Sequence, residues 1–294
     1  MKLDDQVAVV TGAASGIGFG MAQQAATRGM RVVLADIEEE ALDAAERQLR
    51  AAGATTLAVR TDVSRADDVT RLADRAFDAF GSVGLLCNNA GVNVLVTRPI
   101  WELSQGDWEW VIGVNLWGLI HSLQAFLPRM MEQAERSHVL NTSSAAGVIS
   151  GPGLAAYKTT KHAIVTISET LHYDLAAAGA HVGVSVFCPD VVKTQLRTAA
   201  RNRPERLRDE RPPSPEQAAV EKAREAGPGL TPQEAAALAF EGALAGHFYI
   251  FTNPWAIGAA RRRLEDIETG VPQPAGLRED VSGSPSGPTP DARP

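Results

Sequence analysis

With 294 residues, 45% hydrophobic and 21% charged, the chain has room for one or two domains and ample apolar material for a core. A net charge of −7 speaks against a nucleic-acid ligand, which calls for a basic surface. Two cysteines, Cys87 and Cys188, are too few for a disulfide framework, no signal-type segment opens the chain, and no stretch approaches about 18 uncharged apolar residues; the expectation is a cytoplasmic protein with no membrane span.

Strand-like and helix-like segments alternate along the chain. Val7–Thr11 is a short β-branched run, followed by glycines and a helical stretch to about Arg28. Arg31–Ala35 reads as the second strand, then a charged helix covers Glu38–Ala52 and stops at Gly53. Leu57–Val59 lies in a third strand, and Ser64 is placed as N-cap of the helix that ends near Gly81. Leu85–Cys87 forms a fourth strand. A long helix is expected from about Ser104 to Glu135, bent at Pro128. Val139–Thr142 is the fifth strand, Leu154–Ala178 another long helix, Val182–Cys188 the sixth strand and His247–Phe251 the seventh. Continuous apolar strands separated by helices predict an α/β, Rossmann-like, doubly wound parallel sheet of seven strands with helices on both faces. One domain is expected over residues 1–270, with a Pro-, Gly- and Ser-rich disordered tail over 271–294.

The glycines Gly12, Gly16 and Gly18 sit between the first strand and the first helix, in Thr11-Gly-Ala-Ala-Ser15-Gly-Ile17-Gly. Glycine lets backbone approach a pyrophosphate, and the helix N-terminus offers N–H groups and a positive dipole end. Asp36, 18 residues after Gly18, ends the second strand, where a carboxylate accepts both ribose hydroxyls of an adenosine and repels a 2′-phosphate. Neither Ser15 nor Ile37 supplies an offsetting cation, so NAD is expected over NADP. Asp62 and Val63 end the third strand, where an adenine edge could bond; the competing reading of Asp62 is a cap for the next helix.

Tyr157 and Lys161 stand four apart on a predicted helix and so share a face. An ammonium beside a phenol stabilises phenolate, which makes Tyr157 a general base for alcohol oxidation and an acid for reduction. Ser144, 13 residues before Tyr157, can donate to a substrate oxygen as charge develops. Its neighbour Ser143 reads instead as a turn-stabilising serine. Asn115 falls mid-helix, a poor place for Asn without a task.

With these residues in order, the chain resembles a single-domain, Ser-Tyr-Lys short-chain dehydrogenase/reductase over roughly residues 5–195, carried by Thr11–Gly18, Asp36, Asp62-Val63, Asn88-Asn89-Ala90-Gly91, Asn115, Ser144, Tyr157 and Lys161. The resemblance implies that Asn89 and Gly91 border the cofactor. It implies that Asn115 helps hold a water linking Lys161 to solvent, and that Val192 and Thr194 contact the carboxamide and pyrophosphate. It also implies a homodimer or homotetramer paired through the helices carrying Asn115 and Tyr157. Two departures stand out: Pro189-Asp190 where the family usually has Pro-Gly, and a C-terminal run, Trp255–Glu268, beyond the seventh strand. That ending looks like a subgroup including bacterial aromatic alcohol dehydrogenases.

Residues 195–229 occupy the place of a substrate lid and hold Arg197, Arg201, Arg203, Arg206, Arg208 and Arg211 with acids interleaved. The mixed charge favours a solvated, mobile loop over a cationic handle. Val92, Asn93, Val94, Ala145, Val148 and Leu154 are expected to line a mostly apolar pocket, while Trp101, Trp108, Trp110 and Trp117 read as helix packing. No metal is expected from the spacing of the six histidines. The function expected is NAD-dependent interconversion of a secondary alcohol and a ketone of a hydrophobic or aromatic small molecule. The alternative is a non-catalytic dinucleotide-binding regulatory protein.

Overall fold

The computed structural model describes residues 5–94, 98–209, 211, 214–215, 217, 219 and 228–272. The expected tail lies outside them from residue 273, as do parts of the expected lid. The strands are β1 (Val7–Thr11), β2 (Arg31–Asp36), β3 (Thr56–Arg60), β4 (Leu85–Asn88), β5 (Ser137–Thr142), β6 (Val182–Cys188) and β7 (Tyr249–Phe251). They form one parallel sheet in the order β3-β2-β1-β4-β5-β6-β7. The order reverses between β1 and β4, and in open parallel sheets a ligand crevice opens at such a point, beyond the carboxyl ends of the strands.

Alternation along each strand feeds two cores. Ala8 and Val10 of β1 point to one face, where α1 (Gly16–Thr27), α2 (Glu39–Ala51) and a late helix, Pro232–Leu244, bury Met21, Leu42, Leu49 and Phe240. Val7 and Val9 point to the other, covered by α3 (Ala66–Phe80), α4 (Gln105–Glu132) and α5 (Ala155–Ala177) through Leu72, Phe77, Phe126 and Leu175. The Pro232–Leu244 helix is α6, opened by a capping box between Thr231 and Glu234; α7 (Trp255–Thr269) follows β7. The doubly wound architecture expected from the alternating pattern is therefore the one that forms.

Several local expectations change. Ser64 is not the N-cap of α3; Arg65 is, and the Ser64 hydroxyl instead donates to Asp62 at 2.7 Å. The irregularity in α4 is a π-turn at Ile112–Trp117, well before Pro128. Contrary to the expectation from composition, α4 is long and apolar enough to cross a membrane. Here it is a core helix: Val111, Leu119, Phe126 and Met130 are buried, and Ser122 bonds to Asn88 of β4 at 2.5 Å. Trp101 is 81% exposed rather than packed, whereas Trp117, 48% exposed, stacks on His121. The two helices through which the resemblance implies pairing, α4 and α5, spend part of their apolar surface within the chain, since Val111, Leu119 and Ile164 are buried here.

Candidate active site

The crevice begins at the turn between β1 and α1. Gly12 and Gly16 have φ of +67° and +56°, and a Cβ on Gly12 would lie 2.9 Å from Ala90 Cα. Only glycine lets this backbone fold back on the end of β4. Thr11, quoted in the sequence only as the start of the glycine motif, ties the two strand ends together. Its Oγ1 accepts from the N–H groups of Asn89 (3.0 Å) and Ala90 (3.1 Å), and its carbonyl accepts from Asn89 Nδ2 at 3.0 Å. Ser15, at the N-cap of α1, makes no capping bond with its side chain. Gly12, Ser15, Gly16 and Ile17 line the crevice, whereas Gly18 is buried behind them as the point where α1 touches the turn.

Asp36 stands at the end of β2 with its carboxylate fixed by two backbone donors, Ala14 N at 3.0 Å and Glu38 N at 3.1 Å. Burial pushes its carboxyl above the ordinary value, and those N–H bonds oppose the rise. Asp62 and Val63 also line the crevice; Asp62 is not the N-cap of α3, the competing reading, and its Oδ1 instead accepts from Ser64 N (3.0 Å) and the Ser64 hydroxyl. Asn89, Gly91, Val192 and Thr194 line the same crevice. The left-handed Gly12 and Gly16, the uncapped start of α1 and the Asp36 carboxylate beside them fit a dinucleotide: a cradle for phosphates, then an acceptor for a ribose diol.

At the other end, α5 brings Tyr157 and Lys161 to the ends of β5 and β6. Lys161 is buried, donates to Thr142 O at 2.9 Å and lies 5.5 Å from the Tyr157 ring centroid. Desolvation pulls its ammonium down to about 8. Burial pushes the Tyr157 phenol up to about 12, and its hydrogen bond with Ser144 pulls the other way. The expected lowering of the phenol is therefore not found in the protein by itself, where desolvation raises it. Ser144 is half-buried and faces the crevice, while Ser143 is buried and donates to Lys161 O at 2.8 Å, fastening α5 to β5.

Asn115 does not line the main crevice. The π-turn of α4 aims it at the chain leaving β4, where Oδ1 accepts from Val92 N (2.7 Å) and Nδ2 donates to Val92 O (3.0 Å) and Thr160 Oγ1 (3.1 Å). It borders a separate cavity of about 10 Å³ with Thr11, Asn88 and Thr142, on the scale of one water. Among the described residues no His, Cys, Asp and Glu are grouped to hold a metal.

Of the expected pocket residues, Val92, Asn93, Ala145 and Leu154 line the crevice. Val94 and Val148 do not; they pack against the clusters around Trp110 and Leu119. Trp110, read from sequence as packing, is both buried and part of the crevice wall. Leu154 sits at φ +55°, a strained conformation for a γ-branched side chain, immediately before α5. Two of the lid arginines, Arg201 and Arg203, are pinned, while Arg206, Arg208 and Arg211 stay exposed as a solvated loop would have them. Arg201 Nε and Asn202 Nδ2 donate to Glu38 at 3.0 and 2.8 Å, reaching across from the lid to the end of β2. Arg203 donates to Asp107 at 2.7 Å in a buried pair, and Arg98 pairs with the partly buried Asp209. Pro189-Asp190 turns without left-handed backbone at Asp190, so glycine is not needed there.

Residues 6–205 match the family model described as short chain dehydrogenase. The chain belongs to the short-chain dehydrogenases. Among solved structures, a short-chain dehydrogenase/reductase of Burkholderia phymatum in complex with NAD is 44% identical, with a TM-score of 0.88 over 92% of this chain and 97% of that one. Two relatives named 1-deoxy-11-beta-hydroxypentalenate dehydrogenase are similar. That of Streptomyces exfoliatus is 40% identical over 67% of this chain and 70% of its own length. That of Streptomyces arenae is 33% identical over 93% and 92%. As a short-chain dehydrogenase, the protein is an oxidoreductase acting on CH–OH donors.

Proposed function

We propose that this short-chain dehydrogenase uses NAD to interconvert a secondary alcohol and a ketone in a hydrophobic or aromatic small molecule. The observation that carries the reading is one crevice with Asp36 at one end and Ser144, Tyr157 and Lys161 at the other. The bound NAD seen in the Burkholderia relative supports the cofactor, and the names of the Streptomyces relatives support a hydroxylated substrate. Bound there, the nicotinamide supplies the acceptor or donor of hydride. Tyr157 exchanges a proton with the substrate oxygen, Ser144 donates a hydrogen bond to that oxygen, and Lys161 favours the phenolate. Asn115 and the small cavity beside it support an exit path for the proton by way of a water. Gly12, Gly16 and the first turn of α1 hold the pyrophosphate, with Thr194 and Val192 across from them. The buried free thiols Cys87 and Cys188 are consistent with a cytoplasmic setting. A homodimer or homotetramer follows from the family resemblance.

The test is NADH formation at 340 nm across aliphatic, aromatic and steroid alcohols, run in parallel with NADP⁺. Turnover with NAD⁺ and a ring-bearing secondary alcohol is the expected result; NADH binding with no turnover of any alcohol would favour the regulatory alternative. Asp36→Ser is expected to shift the kcat/KM ratio toward NADP⁺ by at least about tenfold, or 1.4 kcal/mol, because a fixed carboxylate beside a phosphate is removed. An unchanged ratio in steady-state assays would take the discriminating role away from Asp36.

A further inference from the structure

The two departures from the family pattern meet in space. Asp190 follows β6, and its carboxylate Oδ2 accepts from the indole Nε1 of Trp255, 65 residues on, at 2.5 Å. Asn253 Nδ2 approaches the same oxygen at 3.5 Å, and Asp190 N donates to Thr252 Oγ1 at 2.9 Å. Trp255 opens α7, and its own N–H donates to Asn253 Oδ1 at 3.1 Å. About two helical turns further along, Arg263 Nε donates to Ser150 Oγ at 3.0 Å, in the loop between Ser144 and Tyr157. So α7 is fastened both to the turn after β6 and to the loop after β5, the two segments that flank the chemistry. Asp190, Thr252, Asn253 and Trp255 line the same crevice as Ser144, Ile149, Pro152, Leu154 and Tyr157.

We propose that Trp255 is a specificity-determining wall of the substrate pocket, held by Asp190, and that it selects substrates with a flat or ring-shaped apolar body. The inference rests on the alcohol–ketone reading above. A large, rigid indole gives apolar area at little entropic cost, and its N–H needs a partner when half-buried. Asp190 supplies that partner, and a glycine at this position could not. The carboxylate is engaged by N–H donors and is a poor neighbour for an anionic substrate, which points to a neutral alcohol.

The test uses the full chain with saturating NAD⁺ and two alcohols, 1-phenylethanol and 2-butanol. Trp255→Ala is expected to raise KM for 1-phenylethanol about tenfold while KM and kcat for 2-butanol, and NADH affinity, move less than about twofold. Asp190→Gly frees the indole without deleting it, so it should lose a smaller part of the same selectivity. The double variant should be no worse than Trp255→Ala alone. If Trp255→Ala fails to fold, Asp190→Gly still reads the selectivity. An unmoved KM ratio in both variants, or equal losses for both alcohols, overturns the proposal. Absence of turnover of either alcohol by the unaltered protein overturns the underlying reading as well, and so the two failures are distinguishable.

Discussion

Tyr157→Phe is expected to lower kcat for alcohol oxidation by about 10³-fold, within the range general acid–base catalysis supplies, while NADH affinity stays within about twofold. The substitution deletes one oxygen and keeps the ring that sits 5.5 Å from Lys161. It leaves untouched Gly12, Gly16 and Asp36, which hold the other end of the crevice. Stopped-flow or steady-state rates, paired with a fluorescence titration of NADH, separate the two effects. Retention of turnover would remove the phenol from the chemistry; loss of NADH binding in step with turnover would mean that Tyr157 holds the site together.

The same pair sets the direction of the pH dependence. Burial raises the phenol to about 12 and lowers the ammonium to about 8, so desolvation opposes charge on each group taken alone. A phenolate beside an ammonium is the charged arrangement such a site accepts most readily, and it has lost one proton relative to the acid form. Oxidation needs that proton-deficient pair, so kcat/KM for the alcohol should rise with pH. The limb belongs to the pair and is expected closer to 8 than to 12. Lys161→Met removes the cation, leaves a phenol raised by burial and lowered only by its bond with Ser144, and should move the limb upward and lower the rate at pH 7. Ketone reduction should show the opposite slope, because there Tyr157 must deliver a proton.

Much of this site was legible because its parts are close in sequence or fixed by the order of the elements. Tyr157 and Lys161 share a helix face by spacing, and Gly12 to Gly18 must fall where a strand hands over to a helix. Asp36 is the last residue of its strand in the structure, where the sequence places it. What could not be read are contacts between distant segments. Asp190 and the run opened by Trp255 each stand out as departures from the family pattern, but nothing local says that α7 returns to the turn after β6 and joins them. The same holds for Glu38 and Arg201, 163 residues apart, where alternating charge reads as a solvated loop until the chain is folded. Asn115 shows a different limit. Its mid-helix position signals a task, but the π-turn that aims it at Val92 is a backbone choice paid in helix regularity, and residue types do not announce it. Leu154 is similar: leucine gives no hint of a left-handed φ.

Gly18→Ala is expected to be the most damaging small change in the fold. A Cβ at Gly18 would lie 2.0 Å from Gly12 O and 2.6 Å from Asn89 Nδ2. Neither neighbour can give way cheaply. Gly12 O belongs to the backbone of the phosphate-facing turn, and Asn89 Nδ2 is spent on Thr11 O in the junction between β1 and β4. The helix α1 must therefore move off the sheet, and its other face is already buried against α6, where Gly20 would place a Cβ 2.8 Å from Pro232 O. Overpacking of this kind costs about 3 kcal/mol. In a domain of this size that is a fall in Tm of about 6–12 °C. Because the displaced helix start is also the phosphate cradle, NADH affinity should fall at least about tenfold. Gly258→Ala is the control: it lies within α7, its nearest neighbour is Arg262 Nη1 at 3.7 Å, and alanine is the better helix former. Thermal unfolding should find it neutral or stabilising by up to about 1 kcal/mol. If both alanines behave alike, the close approach of α1 to the β1 turn is not what requires glycine at position 18.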